Sequence, residues 1–448
     1  MLILRNAVVT ARAVGSSRTV FPKRLLLSGA NEASSVLARY HHPQTNDAAP
    51  MRGKNDLLSV TTKSYFSSTP TVAQSLSDID PTKLQIQLVD ESKKKPKQPK
   101  ETLKFGTITT DHILEINWNY KTGWEAPTIQ PYGPFSIDPA AAVFHYGLEC
   151  FEGMKAYKTC EHTDEIRLFR PELNMIRMNT SMKRLYLPTF DGDAFLECLK
   201  QLIKIDKDWI PTGDGYSLYI RPTGISTHPY IGVGASQTAK LYVILCPVGP
   251  YYPEGFNPVK LYADDKYVRA WPGGTGDTKI GGNYGPTIRP QMEAAAKGYS
   301  QILWLFGEEH YMTEVGTMNL FVYWINKETG RKELVTAPIT RGDILPGVTR
   351  QSILELCREW KEFDVREETL TLPEVRTAIQ ENRLLEIFGS GTAAVISPVS
   401  TIYYQGEDLK IPLDGPDGKA GVLTQRLWKA ITDIQYGRIP NHPWSVVI

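Results

Sequence analysis

The chain has 448 residues, 41% of them apolar and 22% charged, with a formal net charge of +1. That length allows two or three domains, each burying its own core. No apolar run approaches the ~20 residues of a membrane span, and the balanced charge gives no electrostatic case for nucleic acid.

In chain order, residues 1–76 come first, with nine Lys/Arg against three acids, a balance of +6 that leaves −5 for the remainder. The segment is rich in Arg and Ser, and its first acid is Glu32. It reads as a cleavable transit peptide, mitochondrial in the first instance, with a plastid address as the alternative. Residues 77–104, with the Pro-interrupted basic stretch Lys93–Lys100, read as a solvated linker and N-terminal extension, and regular structure is expected from Phe105. In Asp191–Ile210 the residues Phe195, Leu199, Leu202 and Ile203 recur at helical spacing. Ser217–Ile225 and Lys240–Val248 are β-branched and aromatic and read as strands. A concentration of Pro and Gly over Pro247–Gly255 marks a boundary. The expected organisation is a small α/β domain over 105–247, a linker over 248–255 and a large α/β domain over 256–448. In the latter, Val259–Ala263, Gln301–Phe306, Asn319–Ile325 and Glu333–Ala337 read as strands. Pro290–Lys297, Thr349–Trp360 and Leu372–Ile379 read as helices. Two α/β domains with a ligand cleft between them is the economical architecture.

The five cysteines form no C-x-x-C pair and the eight histidines no H-x-x-x-H pattern. Zinc-ribbon and thioredoxin-like sites are excluded, and a metal site is not expected. The chemistry concentrates instead in four segments. Pro272–Pro286 sets six glycines around Lys279, a density that needs a local reason, either room for a bulky ligand held close to the backbone or a chain of tight turns. Its amine suits either a phosphate or attack on a carbonyl carbon. A nucleotide P-loop needs Gly before the lysine and Ser or Thr after it, whereas Thr278 and Ile280 flank Lys279, so the order argues against that motif. A plain glycine-rich turn remains open. Glu314 stands at a strand entrance, where turn or cap residues are common. Leu345-Pro-Gly347-Val348-Thr349 opens a helix whose free N–H groups suit a phosphate, with capping by Thr349 as the alternative. Phe388-Gly-Ser-Gly-Thr392-Ala393-Ala394 offers a second amide nest with a hydroxyl. One amine, one carboxylate and two phosphate-cradling turns form the set that pyridoxal 5′-phosphate needs.

The chain resembles the branched-chain amino-acid aminotransferases of the fold-type-IV pyridoxal-phosphate class, mitochondrial forms in particular. The strings that carry the resemblance run from Phe105 to Gly437. They include His145-Tyr-Gly-Leu-Glu-Cys-Phe-Glu-Gly-Met-Lys-Ala156, Arg167-Leu-Phe-Arg-Pro-Glu-Leu-Asn-Met175, Ser217-Leu-Tyr-Ile-Arg-Pro222, the Lys279 loop and Thr313-Glu-Val-Gly-Thr-Met-Asn-Leu-Phe321. The resemblance implies a two-domain fold with the active site in the interdomain cleft. It implies transamination of L-leucine, L-isoleucine and L-valine with 2-oxoglutarate, giving branched-chain 2-oxo acids and L-glutamate. Lys279 matches the Schiff-base lysine that also moves the substrate proton, and Glu314 the partner of the pyridine nitrogen. Tyr284 matches the tyrosine at the phenolic oxygen, and Arg177, Val348, Thr349 and Thr392 match the phosphate-binding set. Phe105, Tyr146, Phe151, Tyr219 and Tyr284 match an aromatic side-chain pocket, although an aromatic read alone is more often a core residue. Thr317 and the backbone at Ala393 would hold the α-carboxylate, and Arg221 the γ-carboxylate of glutamate. Ile231 and Val233 match residues that reach into a partner's site, which implies a homodimer. Some members carry C-x-x-C after the glycine-threonine turn as a redox switch; Ala394 and Ser397 stand there in this chain, so no such switch is expected. A D-amino-acid aminotransferase or aminodeoxychorismate lyase on the same scaffold is the enzymatic alternative. A non-catalytic nucleotide-binding or assembly protein, colourless when purified, is the other.

Overall fold

The computed structural model describes residues 76–159, 165–250 and 256–448. The expected transit segment, Cys160 and most of the expected 248–255 linker lie outside the described residues. Two sheets organise the rest. The first contains β1 (Gln85–Ile86), β2 (His112–Asn119), β3 (Gly123–Trp124), β4 (Thr128–Pro131), β5 (Glu149–Phe151), β6 (Met154–Lys158), β7 (Ile166–Phe169), β8 (Ser217–Ser226) and β9 (Thr238–Val248). Its strands run in the order β1-β4-β2-β9-β8-β6-β7, with β3 on β2 and β5 on β8. The spine is the long antiparallel ladder from Ser217↔Val248 to Ser226↔Ala239. These are the β-branched and aromatic runs that the sequence marks as strands.

Three helices accompany this sheet: α1 (Ala142–Tyr146), α2 (Pro171–Arg184) and α3 (Gly192–Ile205). The Asp191 side chain caps α3 by accepting from the amides of Asp193 and Ala194. Phe195, Leu199, Leu202 and Ile203 are completely buried. Burial of these four side chains contributes roughly 6–12 kcal/mol, which fixes α3 against the sheet.

The second sheet contains β10 (Val259–Asp264), β11 (Gln301–Phe306), β12 (Tyr311–Val315), β13 (Met318–Ile325), β14 (Lys332–Thr336), β15 (Asp364–Glu367), β16 (Leu384–Gly391), β17 (Val395–Tyr404) and β18 (Glu407–Lys410). Its order is β12-β11-β10-β17-β16-β13-β14-β15, and β12 also pairs with β13. That extra pairing closes β10, β11, β12, β13, β16 and β17 into a ring. Around it lie α4 (Ile288–Ala296), α5 (Val348–Trp360), α6 (Leu372–Gln380) and α7 (Val422–Gln435). A last strand, β19 (Ser445–Val447), returns to the first sheet and pairs antiparallel with β7.

The helices and strands expected from periodicity are present within two residues of their expected ends, except that the helical stretch expected over Asp191–Ile210 ends as α3 at Ile205 and continues as a separate 3-10 turn over Lys207–Trp209. The N-terminal extension differs from expectation. Regular structure begins before Phe105, with β1 beside β4. The Lys-rich stretch is also anchored: Lys95 donates from Nζ to Thr109 Oγ1 (2.7 Å) and the Thr110 carbonyl (2.7 Å), and from its amide to Asp111 (2.9 Å). A run that looks solvated by composition thus satisfies polar groups at the entrance to β2.

Candidate active site

A cavity of about 200 Å³ lies where the two sheets meet. The first sheet contributes Phe151 from β5 and Tyr219 and Arg221 from β8. The second contributes Met318 and Asn319 from β13 and Ser390 and Gly391 from β16. Of the other predicted residues, Phe105, Arg177, Lys279, Tyr284, Thr317, Val348, Thr349, Thr392 and Ala393 also line it, whereas Glu314, Tyr146, Ile231 and Val233 do not.

Lys279 is held from both sides by its backbone. Its amide donates to Ser181 Oγ on α2 (2.9 Å), and its carbonyl accepts from the Phe151 amide (3.0 Å). The side chain is therefore aimed by a strand and a helix that are packed in the core. Nζ donates to Tyr284 Oη (3.0 Å) and lies 4.7 Å from the Phe151 ring centroid. The glycines around it have a different use from the one expected. None of the six lines the cavity. A Cβ on Gly276 would meet the Asp343 carbonyl oxygen at 2.7 Å, and one on Gly281 would meet Glu149 Oε2 at 2.0 Å. These residues let the loop press against its neighbours, and so fix the lysine in place instead of clearing space for a ligand.

Glu314 is not a turn or cap residue. It lies within β12, is 1% exposed, and pairs with Arg269 (3.2 Å). Its Oε1 accepts from the Leu345 amide (2.8 Å). Burial pushes its carboxyl above the ordinary range, opposed by Arg269, the Leu345 amide and Lys279.

The neighbouring α5 has Gly347 as its N-cap and no side-chain cap, so Thr349 does not play that role. By helix geometry the Val348 and Thr349 amides have no intrahelical acceptor, and both residues line the cavity. Arg177 from α2 reaches the same region and donates to the Pro346 carbonyl (3.1 Å). Its fork is locked by Glu152, which is fully buried and accepts from Nε (2.7 Å) and Nη2 (2.8 Å). Burial opposes ionisation of Glu152, yet Arg177 outweighs it and holds the carboxyl below the ordinary range. Glu152 and Arg269 are the residues that sequence reasoning missed. The available signal for Glu152 was its place in the Phe151-Glu152-Gly153 string; nothing local marked Arg269.

Arg221 reads as a free cation facing the cavity. It stacks over Phe151 (4.6 Å) and donates to Tyr219 Oη (3.0 Å), forms no ion pair among the described residues, and leaves Nε without an acceptor. Phe105 packs edge-on against Tyr219 with centroids 4.7 Å apart. Tyr146, expected in this pocket, does not line it. It is exposed at the end of α1, as are Ile231 (71%) and Val233 (87%). The segments that carry them are joined by the Ala142 amide donating to the His228 carbonyl (2.9 Å) and the Tyr230 amide to the Ala140 carbonyl (3.0 Å).

An amine, uncapped helix-end amides beside an arginine, and a buried carboxylate linked to the wall through Leu345 fit a phosphorylated aldehyde cofactor with a basic ring nitrogen. The family model for amino-transferase class IV matches residues 149–402, from β5 into β17. The protein is an aminotransferase of that class. A branched-chain-amino-acid aminotransferase of Dictyostelium discoideum is 53% identical over 365 residues, covering 81% of this chain and 95% of that one. The mitochondrial enzyme of Saccharomyces cerevisiae is 52% identical over 78% and 89% of the two chains, and a cytosolic one from Ovis aries 51% over 79% and 90%. The chain belongs to the branched-chain-amino-acid aminotransferase family. Among solved structures, the Escherichia coli branched-chain amino acid aminotransferase superposes with a TM-score of 0.58 at 24% identity, covering 74% of this chain and 98% of that one. Another branched-chain amino acid aminotransferase, solved in complex with N-(5′-phosphopyridoxyl)-L-glutamate, gives 0.55 at 23%, covering 74% and 97%.

Proposed function

We propose that the protein transfers the amino group of L-leucine, L-isoleucine or L-valine to 2-oxoglutarate, with pyridoxal 5′-phosphate held in the cavity. The observation that carries this reading is the Lys279 amine, fixed by Ser181 and Phe151 and donating to Tyr284 at 3.0 Å. Pyridoxal phosphate, when bound, supplies a covalent attachment point for the amino group and an electron sink that acidifies the substrate Cα–H. Lys279 then takes and returns the proton at Cα, which is general acid–base work by a positioned amine. Arg177, Thr392 and the amides of Val348 and Thr349 hold the phosphate. Glu314 stabilises positive charge on the ring nitrogen, and Tyr284 donates to the phenolic oxygen. Thr317 and the backbone at Ala393 take the α-carboxylate. Phe105, Phe151 and Tyr219 receive the branched side chain. Arg221 receives the γ-carboxylate of glutamate, so one pocket serves apolar and acidic side chains.

The protein acts as a homodimer in this reading. Support comes from the exposed apolar group Tyr146, Ile231 and Val233, a surface that suits burial against a second copy. Tyr146 then belongs with Ile231 and Val233 on the face turned toward a neighbouring subunit. The mitochondrial matrix is the proposed location, supported by the basic, acid-poor residues 1–76 and tested by fusing them to a reporter. The central experiment is a spectrum of the purified protein. Wild type shows visible absorbance that L-leucine bleaches and 2-oxoglutarate restores, and Lys279→Ala shows neither. A colourless protein that stays colourless with added pyridoxal phosphate would refute the reading, and a preference for D-alanine over L-leucine would move it to the D-specific alternative.

A further inference from the structure

One buried cation has no part in this scheme. Lys155 on β6 is 7% exposed, forms no ion pair among the described residues, and donates from Nζ to the Ala393 carbonyl (2.8 Å). An ammonium buried without a counter-ion is costly, and burial pushes its pKa down to about 8.

Its acceptor sits in an unusual wall. Thr392–Ala394 forms the turn between β16 and β17. One side of it lines the Lys279 cavity; Ala393 and Ala394 also line a second cavity, of about 270 Å³, shared with Lys155, Tyr157, Trp428 and Tyr436. The turn thus has a cavity on each of two faces. It runs into Val395 at a φ of +62°, a conformation that strains a β-branched residue. A strained turn between two cavities needs a tether, and the Lys155 amine supplies one from the first sheet. The peptide joining Ala393 to Ala394 is planar and trans, so its N–H points away from its carbonyl. Fixing the carbonyl on Lys155 therefore turns that N–H to the opposite side.

We propose that Lys155 is a positioning residue that holds the Thr392–Ala394 turn in the orientation that binds the substrate α-carboxylate. This rests on the aminotransferase reading and adds to it the group that orients the carboxylate site. Lys155 does not line the Lys279 cavity, so it acts on the carboxylate site only through the turn.

The test compares holoenzyme of wild type, Lys155→Met and Lys155→Arg. Lys155→Met is expected to raise KM for L-leucine and its 2-oxo acid about tenfold, the effect of one lost charge-assisted hydrogen bond. Its kcat should stay within about twofold, and its Tm should match or exceed that of wild type because an uncompensated buried charge is removed. Lys155→Arg keeps the charge and should restore most of the affinity. Equilibrium binding of 4-methylvaleric acid, a carboxylate without an amino group, should weaken about tenfold in Lys155→Met. In wild type this binding should also weaken above about pH 8, as the ammonium loses its proton, with no such step in Lys155→Met. Tyr157 on the same strand titrates far higher, Tyr436 donates to the Tyr216 carbonyl, and Asp214 and Arg438 pair with each other, so none of them imitates that step. Equal carboxylate affinity in wild type and Lys155→Met overturns the proposal. Absence of transamination in wild type would refute the functional reading instead, and the 4-methylvaleric acid comparison would still decide the role of Lys155.

Discussion

Glu152→Gln tests how Arg177 is held. Glu152 is fully buried and accepts from Arg177 Nε and Nη2, from Asn174 Nδ2 (2.8 Å) and from the Gly153 amide (3.1 Å). Glutamine has the same shape but turns one acceptor into a donor and removes the charge opposite Arg177. Leaving a buried guanidinium uncompensated costs about 3–5 kcal/mol, and that is the loss expected in denaturant unfolding. A double-mutant cycle with Arg177→Met should return a coupling of at least about 2 kcal/mol. The pH dependence has a definite sign. Arg177 holds the Glu152 carboxyl below its ordinary value of 4.5. The pair's stabilisation is therefore full above pH 4.5 and is lost as pH falls through the lower folded value. In Glu152→Gln the acid limb of the stability curve should be shallower. A loss below about 1 kcal/mol, as for an exposed ion pair, would refute the account of Arg177 as a locked fork.

Arg221→Leu should raise KM for glutamate and 2-oxoglutarate about 10- to 100-fold, from loss of a charge-assisted contact, while KM for leucine changes severalfold at most; equal losses for both substrates would remove Arg221 from acidic-substrate binding. Ile231→Asp with Val233→Asp should shift light scattering from dimer to monomer mass and lower activity, and an unchanged dimer would place the interface elsewhere. Gly276→Ala, whose Cβ meets the Asp343 carbonyl oxygen at 2.7 Å, should cost about 1–3 kcal/mol. Gly282→Ala faces open space and should be neutral or stabilising by up to about 1 kcal/mol; similar costs at both would mean that the loop is not held by close packing. Cys150, Cys198, Cys246 and Cys357 are buried, with the Cys198 and Cys357 thiols pushed up to about 11 and about 12. A thiol reagent on native protein at pH 8 should therefore modify one residue at most, and mild peroxide should spare activity; rapid loss reversed by a reductant would overturn this.

What the sequence made legible is local. Helix α3 is readable because its cap and its apolar stripe both lie within twenty residues, and β8 and β9 because their side-chain types suit a pleated, half-buried surface. Lys279, Val348, Thr349 and Thr392 stand out because turn-forming residues cluster around them. The illegible part depends on pairings between distant segments. Arg269 meets Glu314 only through the ring of strands, and Lys155 reaches Ala393 across 238 positions. Composition misled in two places, since Gly276 and Gly281, which look like room for a ligand, are close-packing contacts, and a lysine-rich run that looks solvated is tethered to β2.

The ring of six strands also sets an order of assembly. The β12–β13 pairing joins neighbours in sequence, whereas β10 meets β17 through contacts such as Val259↔Val399. Contacts between such distant segments form late, because the chain between them must first be ordered. The turn bearing Thr392 and Ala393 directly precedes β17, so it joins Lys279 in the cavity wall only when that late pairing is made. An unfinished chain therefore carries all the reactive groups without bringing them together, and acquisition of the visible chromophore should report completed folding as well as ligand capture.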